Sequence, residues 1–582
     1  MRIHAKRWLF LIHRWLGIIA CAFFAMWFLS GVVMMYVGYP KLTDAERLRH
    51  LPPLGTGSGL MAPREALDAA GVAGPLQALR LAVASGGRAV YFATPLAAAP
   101  AAGARRTAPP GSGVITIDAR NGARLSSVDE RIALASAASY AGPGVGLDYR
   151  GAIGEDAFTH SRGLDAHRPL HRVQLADARA TLLYVSGRTG EVVRDAPRAE
   201  RLWNYAGAWI HWLYPLRGGV LDRYWTDIVD WLSILGIAMA LTGIVVGVQR
   251  WRFTQPYRSG ARSPYQGMMR WHHILGIAFA LVTITWIFSG LMSMNPWRVF
   301  DNGAAPLRAE TLRGGPLVIT TQEAAPQALL AAAGGAVREL RWERILGRTT
   351  VLAQGADGKP ALLDSRGALA PPLDPEAVRA AAAGLLPDPV ARIEVLTAYD
   401  LYYYAREAHT MTGGVDKPLP ILRVVFDDAR ATWVHVDPHT GAVLGRIDSS
   451  RRASRWLFAM LHSWDWLPLL ERRPLWDAVL IILSLGGLML SLTGVVIGWR
   501  RLGLKLRALR NAGGRRSGFK KGPHAAPSAC CPPRGLFLSW GGPATKKAPT
   551  RRLRLAAPRG GRFCLGGGPA AKKDRAKIYN DR

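Results

Sequence analysis

The chain has 582 residues, 49% of them hydrophobic, yet it carries a formal net charge of +33. This length exceeds that of one domain, and the mixture of apolar and basic residues is typical of a membrane protein with basic cytoplasmic segments. Residues 500–582 hold +20 of the charge. Much of the remainder flanks apolar segments, so the charge does not indicate nucleic-acid binding.

Four apolar segments are each long enough to cross a hydrocarbon core of about 30 Å. The predicted transmembrane helices are 15–37, 229–248, 274–294 and 478–499. The first of them has no small-residue cleavage site after it, and its apolar stretch is longer than that of a signal peptide. It is therefore interpreted as a retained membrane anchor.

The basic residues predict the orientation of these helices. The N-terminus (1–14), the loop between the second and third helices (249–273) and the tail (500–582) are all basic. By the positive-inside rule these segments are cytoplasmic. The long regions 38–228 and 295–477 then lie outside, which in a bacterial inner membrane is the periplasm. We expect a multi-pass protein with both termini in the cytoplasm and the lipid bilayer as its surroundings.

The sequence repeats itself at two closely related offsets. An offset of 259 relates His13 to His272 and the pair Ser-Gly at 30–31 to that at 289–290. An offset of 251 relates His211 to His462 and the Leu-Thr-Gly at 241–243 to that at 492–494. Two halves with the same topology predict an axis along the membrane normal.

The two outer regions are predicted to be small α+β modules. Helices are expected at 64–70, 130–140, 322–333 and 375–385, and strands at 89–93, 113–117, 180–186, 339–342, 349–354, 421–426 and 432–436. Turns that end in glycine follow several of these strands. The predicted fold class is an all-α membrane core of four transmembrane helices in two parallel repeats, with α+β periplasmic modules.

Four histidines form two pairs that the repeat would bring together. His13 and His272 lie at the cytoplasmic ends of helices one and three, and His211 and His462 lie just outside helices two and four. Two neutral imidazoles can ligate one haem iron axially. Because the outer regions contain no cysteine, a Cys-x-x-Cys-His attachment is excluded there, and any haem would be b-type.

Other readings of these residues stay open. Histidines are common at membrane interfaces as anchors, and the neighbouring His273 is an alternative ligand to His272. Arg14 and Arg270 are candidates to contact haem propionates. Gly17, Gly31, Gly276 and Gly290 would let a macrocycle or a helix approach closely.

Some expected features are missing from the sequence. The helix interiors carry no Asp, Glu, Lys or Arg, which counts against an ion-coupled transporter. No Walker A motif and no GxGxxG in a strand–helix context is found, so an electron donor would have to be a separate molecule.

The sequence resembles the PepSY-associated transmembrane family, which includes bacterial ferric-siderophore reductases and iron-regulated membrane proteins. The motifs that carry the resemblance are HRWLGI (13–18), YYYARE (402–407), HSWDWL (462–467), RPLWD (473–477) and LTGVVIGWR (492–500). The resemblance implies PepSY-like outer modules and, for some members, two b haems that pass electrons to a periplasmic ferric chelate. Tyr402, Tyr403 and His409 are the candidates for that substrate surface, although the tyrosines are equally well explained as core.

Two functions follow from these observations. The first is an inner-membrane di-haem oxidoreductase that passes electrons from an unidentified cytoplasmic donor or the quinol pool to a ferric siderophore in iron acquisition. The second is a haem-free membrane scaffold or regulator whose modules bind a periplasmic protein. The tail after about Ala508 is expected to be disordered. It is interpreted either as a binder of anionic lipid or as an extension foreign to the protein.

Overall fold

The computed structural model describes residues 2–55, 59–96, 113–301, 303–406 and 417–517. The helices of these segments are numbered in chain order. They are α1 (Arg2–Met34), α2 (Asp44–His50), α3 (Pro63–Ala69), α4 (Glu130–Ala141), α5 (Arg198–Asn204), α6 (Trp225–Arg250), α7 (Gly267–Ser293), α8 (Glu310–Arg313), α9 (Pro326–Ala333), α10 (Pro375–Ala383), α11 (Ser449–Arg455), α12 (Leu467–Leu470) and α13 (Leu475–Ser517).

Among the described residues, four helices are long and apolar enough to cross a membrane. The candidate spans are Lys6–Met34, Asp222–Arg250, Gly267–Ser293 and Leu475–Arg510. The prediction of four membrane-spanning helices is confirmed. The helices are longer than the predicted segments because polar and basic residues beside the apolar stretches continue the same helices. In particular, α13 is helical as far as Ser517.

The membrane helices pack through glycines that face large aromatic rings. A Cβ added at Gly236 of α6 would lie 2.9 Å from Phe24 of α1. A Cβ added at Gly486 or Gly487 of α13 would overlap the ring of Phe279 or Phe28, respectively. Small residues allow membrane helices to approach closely, so these contacts hold the four spans in one bundle.

The regions between the spans contain antiparallel β-structure. Its strands are β1 (Leu76–Ser85), β2 (Arg88–Pro95), β3 (Ile115–Asp118), β4 (Leu147–Ile153), β5 (Leu170–Leu175), β6 (Leu182–Ser186), β7 (Val192–Ala196), β8 (Glu339–Ile345), β9 (Arg348–Gln354), β10 (Ala361–Asp364), β11 (Val390–Leu396), β12 (Ile421–Phe426), β13 (Trp433–Val436) and β14 (Val443–Ile447). They form three sheets, with the orders β10-β9-β8-β1-β2-β3, β4-β5-β6-β7 and β11-β12-β13-β14.

The six-stranded sheet joins the two predicted outer regions, 38–228 and 295–477. The sequence did not predict this pairing. Strand β1 from the first region pairs antiparallel with β8 from the second, with Leu79 opposite Trp342 and Leu81 opposite Leu340. All four side chains are buried in one core. The outer regions are therefore not independent modules, because they share a sheet and a hydrophobic core.

The α+β prediction for the outer regions is confirmed, and every predicted strand and helix is present within a few residues. The predicted turns are also present. Gly190 and Gly441, for example, have φ of +75° and +70°, and their N–H groups bond to Ser186 O and Asp437 O. Strands β1 and β5 and the edge strands β4, β7, β10, β11 and β14 were not predicted. Strands β4 and β11 contain exposed residues and lack a continuous apolar run, so the sequence gives a weak signal there.

Candidate functional site

His13 and His272 face each other at one end of the helix bundle. Their ring centres are 6.3 Å apart and the ring planes are inclined by 38°. His13, on α1, has its Nδ1 3.1 Å from the carbonyl oxygen of Met239 on α6. His272, on α7, has its Nδ1 2.9 Å from the hydroxyl of Thr493 on α13. We call these two histidines the first pair; it joins all four spans.

His211 and His462 form the second pair, also with ring centres 6.3 Å apart and with planes inclined by 79°. Each follows a wide π-helical turn, Tyr205–Trp209 and Trp456–Met460, respectively. Nδ1 of His211 is 2.9 Å from the hydroxyl of Ser30 on α1. Nδ1 of His462 is 3.0 Å from that of Ser289 on α7. The second pair therefore lies near the opposite ends of the helices that hold the first.

The hydrogen bonds determine which ring nitrogen carries the proton. The hydroxyls of Ser30, Ser289 and Thr493 each donate to a carbonyl of their own helix, at 2.7, 3.0 and 2.6 Å. A hydroxyl has one proton, so each must accept its second bond from histidine Nδ1–H. The carbonyl that contacts His13 can only accept. In all four histidines the proton is thus assigned to Nδ1, and the lone pair is on Nε2.

Nε2 of these four histidines is available for a ligand. Among the described residues, no hydrogen bond reaches Nε2 of any of these four histidines. Burial lowers the pKa of His211 to about 3, with a further contribution from His462, and burial lowers the pKa of His462 to about 4. Both imidazoles of the second pair are therefore neutral, which is the form that ligates a metal.

The spacing of both pairs fits two axial ligands on one metal. With a metal–nitrogen bond of about 2.0 Å and about 1.2 Å from nitrogen to ring centre, two such imidazoles have centres about 6.4 Å apart. The observed separation is 6.3 Å in both pairs. The Nδ1–H bonds match the outer interactions that fix the tautomer and orientation of ligating histidines. Among the residues described, no group of three His, Cys, Asp or Glu side chains could hold a bare metal ion.

Glycines lie against the four imidazoles. A Cβ added at Gly243 would be 2.6 Å from Cε1 of His13, and one added at Gly494 would be 3.4 Å from Cε1 of His272. Of the glycines selected from the sequence, Gly31 and Gly290 contact His211 and His462 in the same way, at 3.7 Å. Gly17 and Gly276 instead lie against Met239 and Leu490. A side chain at Gly243 would displace the ring of His13.

His273 and the two arginines are placed differently from the four histidines. Nδ1 of His273 is 2.8 Å from Ser263 Oγ, and its Nε2 is 2.8 Å from Gly247 O. Both ring nitrogens are occupied, so His273 offers no lone pair to a metal while these bonds hold. Arg14 is half-buried beside Trp15, and Arg270 is exposed. Neither has an ion-pair partner among the described residues.

The two tyrosines proposed as a substrate surface differ in their exposure. Tyr403 is only 3% exposed and donates to Pro418 O, so in the described part of the chain it packs as a core side chain. Tyr402 is half-buried, and its hydroxyl accepts from Nε1 of the exposed Trp456. Neither tyrosine lies in a strand. His409 is outside the described residues.

Several polar residues at this site were not selected from the sequence. Ser30, Ser289 and Thr493 all lie in the repeated Ser-Gly and Leu-Thr-Gly motifs, so the repeat itself was the signal. Asp230, 8% exposed, lies on the interior face of α6 inside a candidate span, with one carboxylate oxygen unpartnered. The expectation that the span interiors lack acidic residues is therefore corrected at this position.

The fold and the site define a class of protein, a four-helix membrane protein with extramembrane sheets and paired histidines in its bundle. The family profile of the PepSY-associated TM region matches residues 10–353 and 367–542. The chain belongs to this family. The second match extends past Arg500, where the last sequence motif ends, to residue 542. No curated protein matches the chain at a significant level.

Proposed function

We propose that this protein is a membrane b-type cytochrome that binds two haems and passes electrons to an acceptor outside the cytoplasm. The observation that carries the proposal is the geometry of the two histidine pairs. Both have the ring separation that axial ligation requires, and all four imidazoles present a free Nε2. An interfacial anchor needs neither a fixed tautomer nor a facing partner.

Each side chain at the pairs has a role in this proposal. His13 and His272 would hold one haem, and His211 and His462 the other, while Ser30, Ser289 and Thr493 orient the rings. A b haem held by two imidazoles supplies reversible one-electron transfer at its iron. His13 and Ser30 are seventeen residues apart on α1, so the pairs are about 25 Å apart along that helix. The two sites therefore lie near opposite ends of the spans.

The finer topology is part of the same proposal. We place both termini and the basic loop 249–273 in the cytoplasm of a bacterium, and the sheets in the periplasm. The two halves are proposed to be parallel repeats. Support comes from matched contacts, since His211–Ser30 and His462–Ser289 follow the sequence offsets of 251 and 259. His13–Gly243 and His272–Gly494 follow the same offsets.

The acceptor is proposed to be a ferric siderophore in the periplasm. Reduction of its iron to Fe(II) would weaken binding by hard oxygen ligands and release the metal. This substrate rests only on the resemblance of the sequence motifs to ferric-siderophore reductases. The electron donor would be a separate molecule on the cytoplasmic side or the quinol pool.

The test is haem content and its dependence on the four histidines. The purified protein is expected to show about two b haems per chain in a pyridine haemochrome assay. Alanine at His13 or His272 should remove one haem, and alanine at His211 or His462 should remove the other. His273→Gln is the matched control, because His273 is bonded at both nitrogens and should leave both haems bound.

Two outcomes would contradict the proposal in different ways. Protein expressed with a full haem supply that contains none would exclude the cytochrome and leave the haem-free scaffold. Haem that persists in all four alanine variants would show that other residues are the ligands.

A further inference from the structure

Asn204 is a buried amide without a hydrogen-bond partner, close to the second pair. Its side chain is 0% exposed, and neither Nδ2 nor Oδ1 has a partner among the described residues. Buried polar groups in native proteins are almost always hydrogen-bonded, so such an exception requires a reason. One such reason is a bound group that is not part of the polypeptide.

The side chain is on the face of its helix that leads to the second pair. Asn204 ends α5 and is followed by the π-turn, and the buried residues of this segment are Asn204, Gly207 and Ala208. Gly207 packs on Val33 of α1, and His211 bonds to Ser30 one turn earlier on the same helix. Asn204 precedes His211 by seven residues, which is about 10 Å along a regular helix, and the backbone between them kinks at Gly207 (φ −98°, ψ −113°). That distance is similar to the distance from the centre of a haem to the carboxylates at its edge.

The polar side chain at the matching position in the other half already has hydrogen-bond partners. Arg455 precedes His462 by the same seven residues and is 8% exposed. Its Nη1 donates to Asp465 Oδ2 at 3.0 Å and also to the hydroxyl of Tyr404. Of the two polar side chains at this position, only Asn204 lacks a protein partner.

We propose that Asn204 binds one propionate group of the haem at the second pair. The inference rests on the proposed function. An amide suits this group in either protonation state, because Nδ2–H donates to a carboxylate and Oδ1 also accepts from a carboxylic acid. Asn204 is thus a binding residue for the edge of the cofactor, in addition to the two axial ligands.

The experiment compares Asn204→Leu with the parent protein in a His13→Ala background, where only the second pair retains haem. The rate of haem transfer to excess apomyoglobin is followed by absorbance. Loss of a charge-assisted bond predicts release about ten- to a hundred-fold faster. The thermal midpoint of the haem-free protein should not fall, because an unpartnered amide is replaced by an apolar side chain of similar size. Asn204→Asp, which places like charges together, should also accelerate release.

A second arm identifies the group that Asn204 binds. The same variants are loaded with an iron porphyrin in which ethyl groups replace both propionates. The effect of Asn204→Leu should then disappear, and both proteins should release the porphyrin at one rate. Thr283→Val is the control, because its buried hydroxyl bonds only to Phe279 O of its own helix. It should leave release unchanged with either porphyrin.

The results separate this inference from the proposed function. If the parent protein binds two haems but Asn204→Leu releases natural haem at the parent rate, the inference is overturned and the function stands. It is also overturned if the difference persists with the porphyrin that lacks propionates, because Asn204 then acts through packing or water. If the parent protein binds no haem, the proposed function itself fails.

Discussion

At the scale of single residues, the hydroxyls behind the histidines matter as much as the imidazoles. Three of the four Nδ1–H groups bond to a serine or threonine whose own proton is given to a helix carbonyl. This arrangement leaves each ring only one orientation that satisfies its Nδ1–H. The sequence identified the histidines, because their repeat positions can be counted. It did not identify the hydroxyls, because a serine in an apolar helix is usually satisfied by its own backbone.

Removal of one of these hydroxyls should weaken the second site. Ser30→Ala removes the hydroxyl that accepts from Nδ1–H of His211, and Ser289→Ala does the same to His462, which keeps only a longer contact of 3.3 Å to Trp286 O. We expect haem at this site to be released about 10- to 100-fold faster, as is typical when such partners of a metal ligand are lost. Haem transfer to apomyoglobin measures the effect. Ser293→Ala is the matched control on α7, because that hydroxyl bonds only to Gly290 O. Equal rates in all three variants would mean that the hydroxyls do not orient the rings.

At the scale of elements, the junction of β1 and β8 is an ionic as well as an apolar contact. Glu339 of β8 accepts from Arg80 of β1 at 3.0 Å and from Arg47 of α2 at 2.7 Å. Burial alone would raise the pKa of Glu339, but Arg80 and Arg47 outweigh it and lower the pKa to about 2. The two outer regions are therefore joined by a carboxylate that stays charged far into the acid range.

The stability of this junction should depend on pH in a defined direction. Because the folded pKa is depressed, the stabilisation is complete above the ordinary value of 4.5 and is lost as pH falls towards about 2. Glu339→Gln should cost about 3 kcal/mol at pH 7, as expected when one partner of a buried ion pair is removed. Chemical unfolding in detergent at pH 7 and pH 3 measures both effects.

An exposed ion pair provides the control for that measurement. Glu376 bonds to Arg379 on the surface, with its side chain 76% exposed. Glu376→Gln should change the unfolding free energy by less than about 0.5 kcal/mol. A Glu339 variant that is no more affected than this one would contradict a structural role for the junction.

The π-turns before His211 and His462 are the other elements with a specific consequence. A wide turn inserts one residue relative to an α-helix and changes the direction of every later side chain. Deletion of Ala206 should remove the extra residue of the turn and rotate His211 by about 100° away from His462. The expected result is one haem per chain instead of two, read by pyridine haemochrome. Deletion of the exposed Thr254, between α6 and α7, should leave both haems. Two haems after the Ala206 deletion would show that the turn does not orient the ligand.

At the scale of the whole molecule, the sequence predicted local features well and long-range ones only through its repeat. Apolar length revealed the four spans, and alternating apolar residues with terminal glycines revealed half of the described strands. The β1–β8 pairing could not be predicted, because it joins strands more than 250 residues apart whose local patterns each fit a separate module. Asn204 could not be identified from the sequence either, because a missing hydrogen-bond partner is a property of the packed structure and not of any motif.

The uneven charge of the chain predicts the orientation of the molecule in the membrane. Basic residues concentrate in 1–14, 249–273 and 500–582, so these segments should remain in the cytoplasm. After Cys530, Cys531 and Cys564 are replaced by serine, the described part of the chain retains one cysteine, the buried Cys21. A cysteine at exposed Arg120, beside β3, should react with a membrane-impermeant maleimide in intact spheroplasts. A cysteine at exposed Arg258, between α6 and α7, should react only after the membrane is permeabilised. The opposite labelling pattern would show that the protein has the inverted orientation in the membrane, with the second pair on the cytoplasmic side. Electrons would then leave towards the wrong compartment for a periplasmic chelate, so this experiment tests the direction of transfer independently of haem.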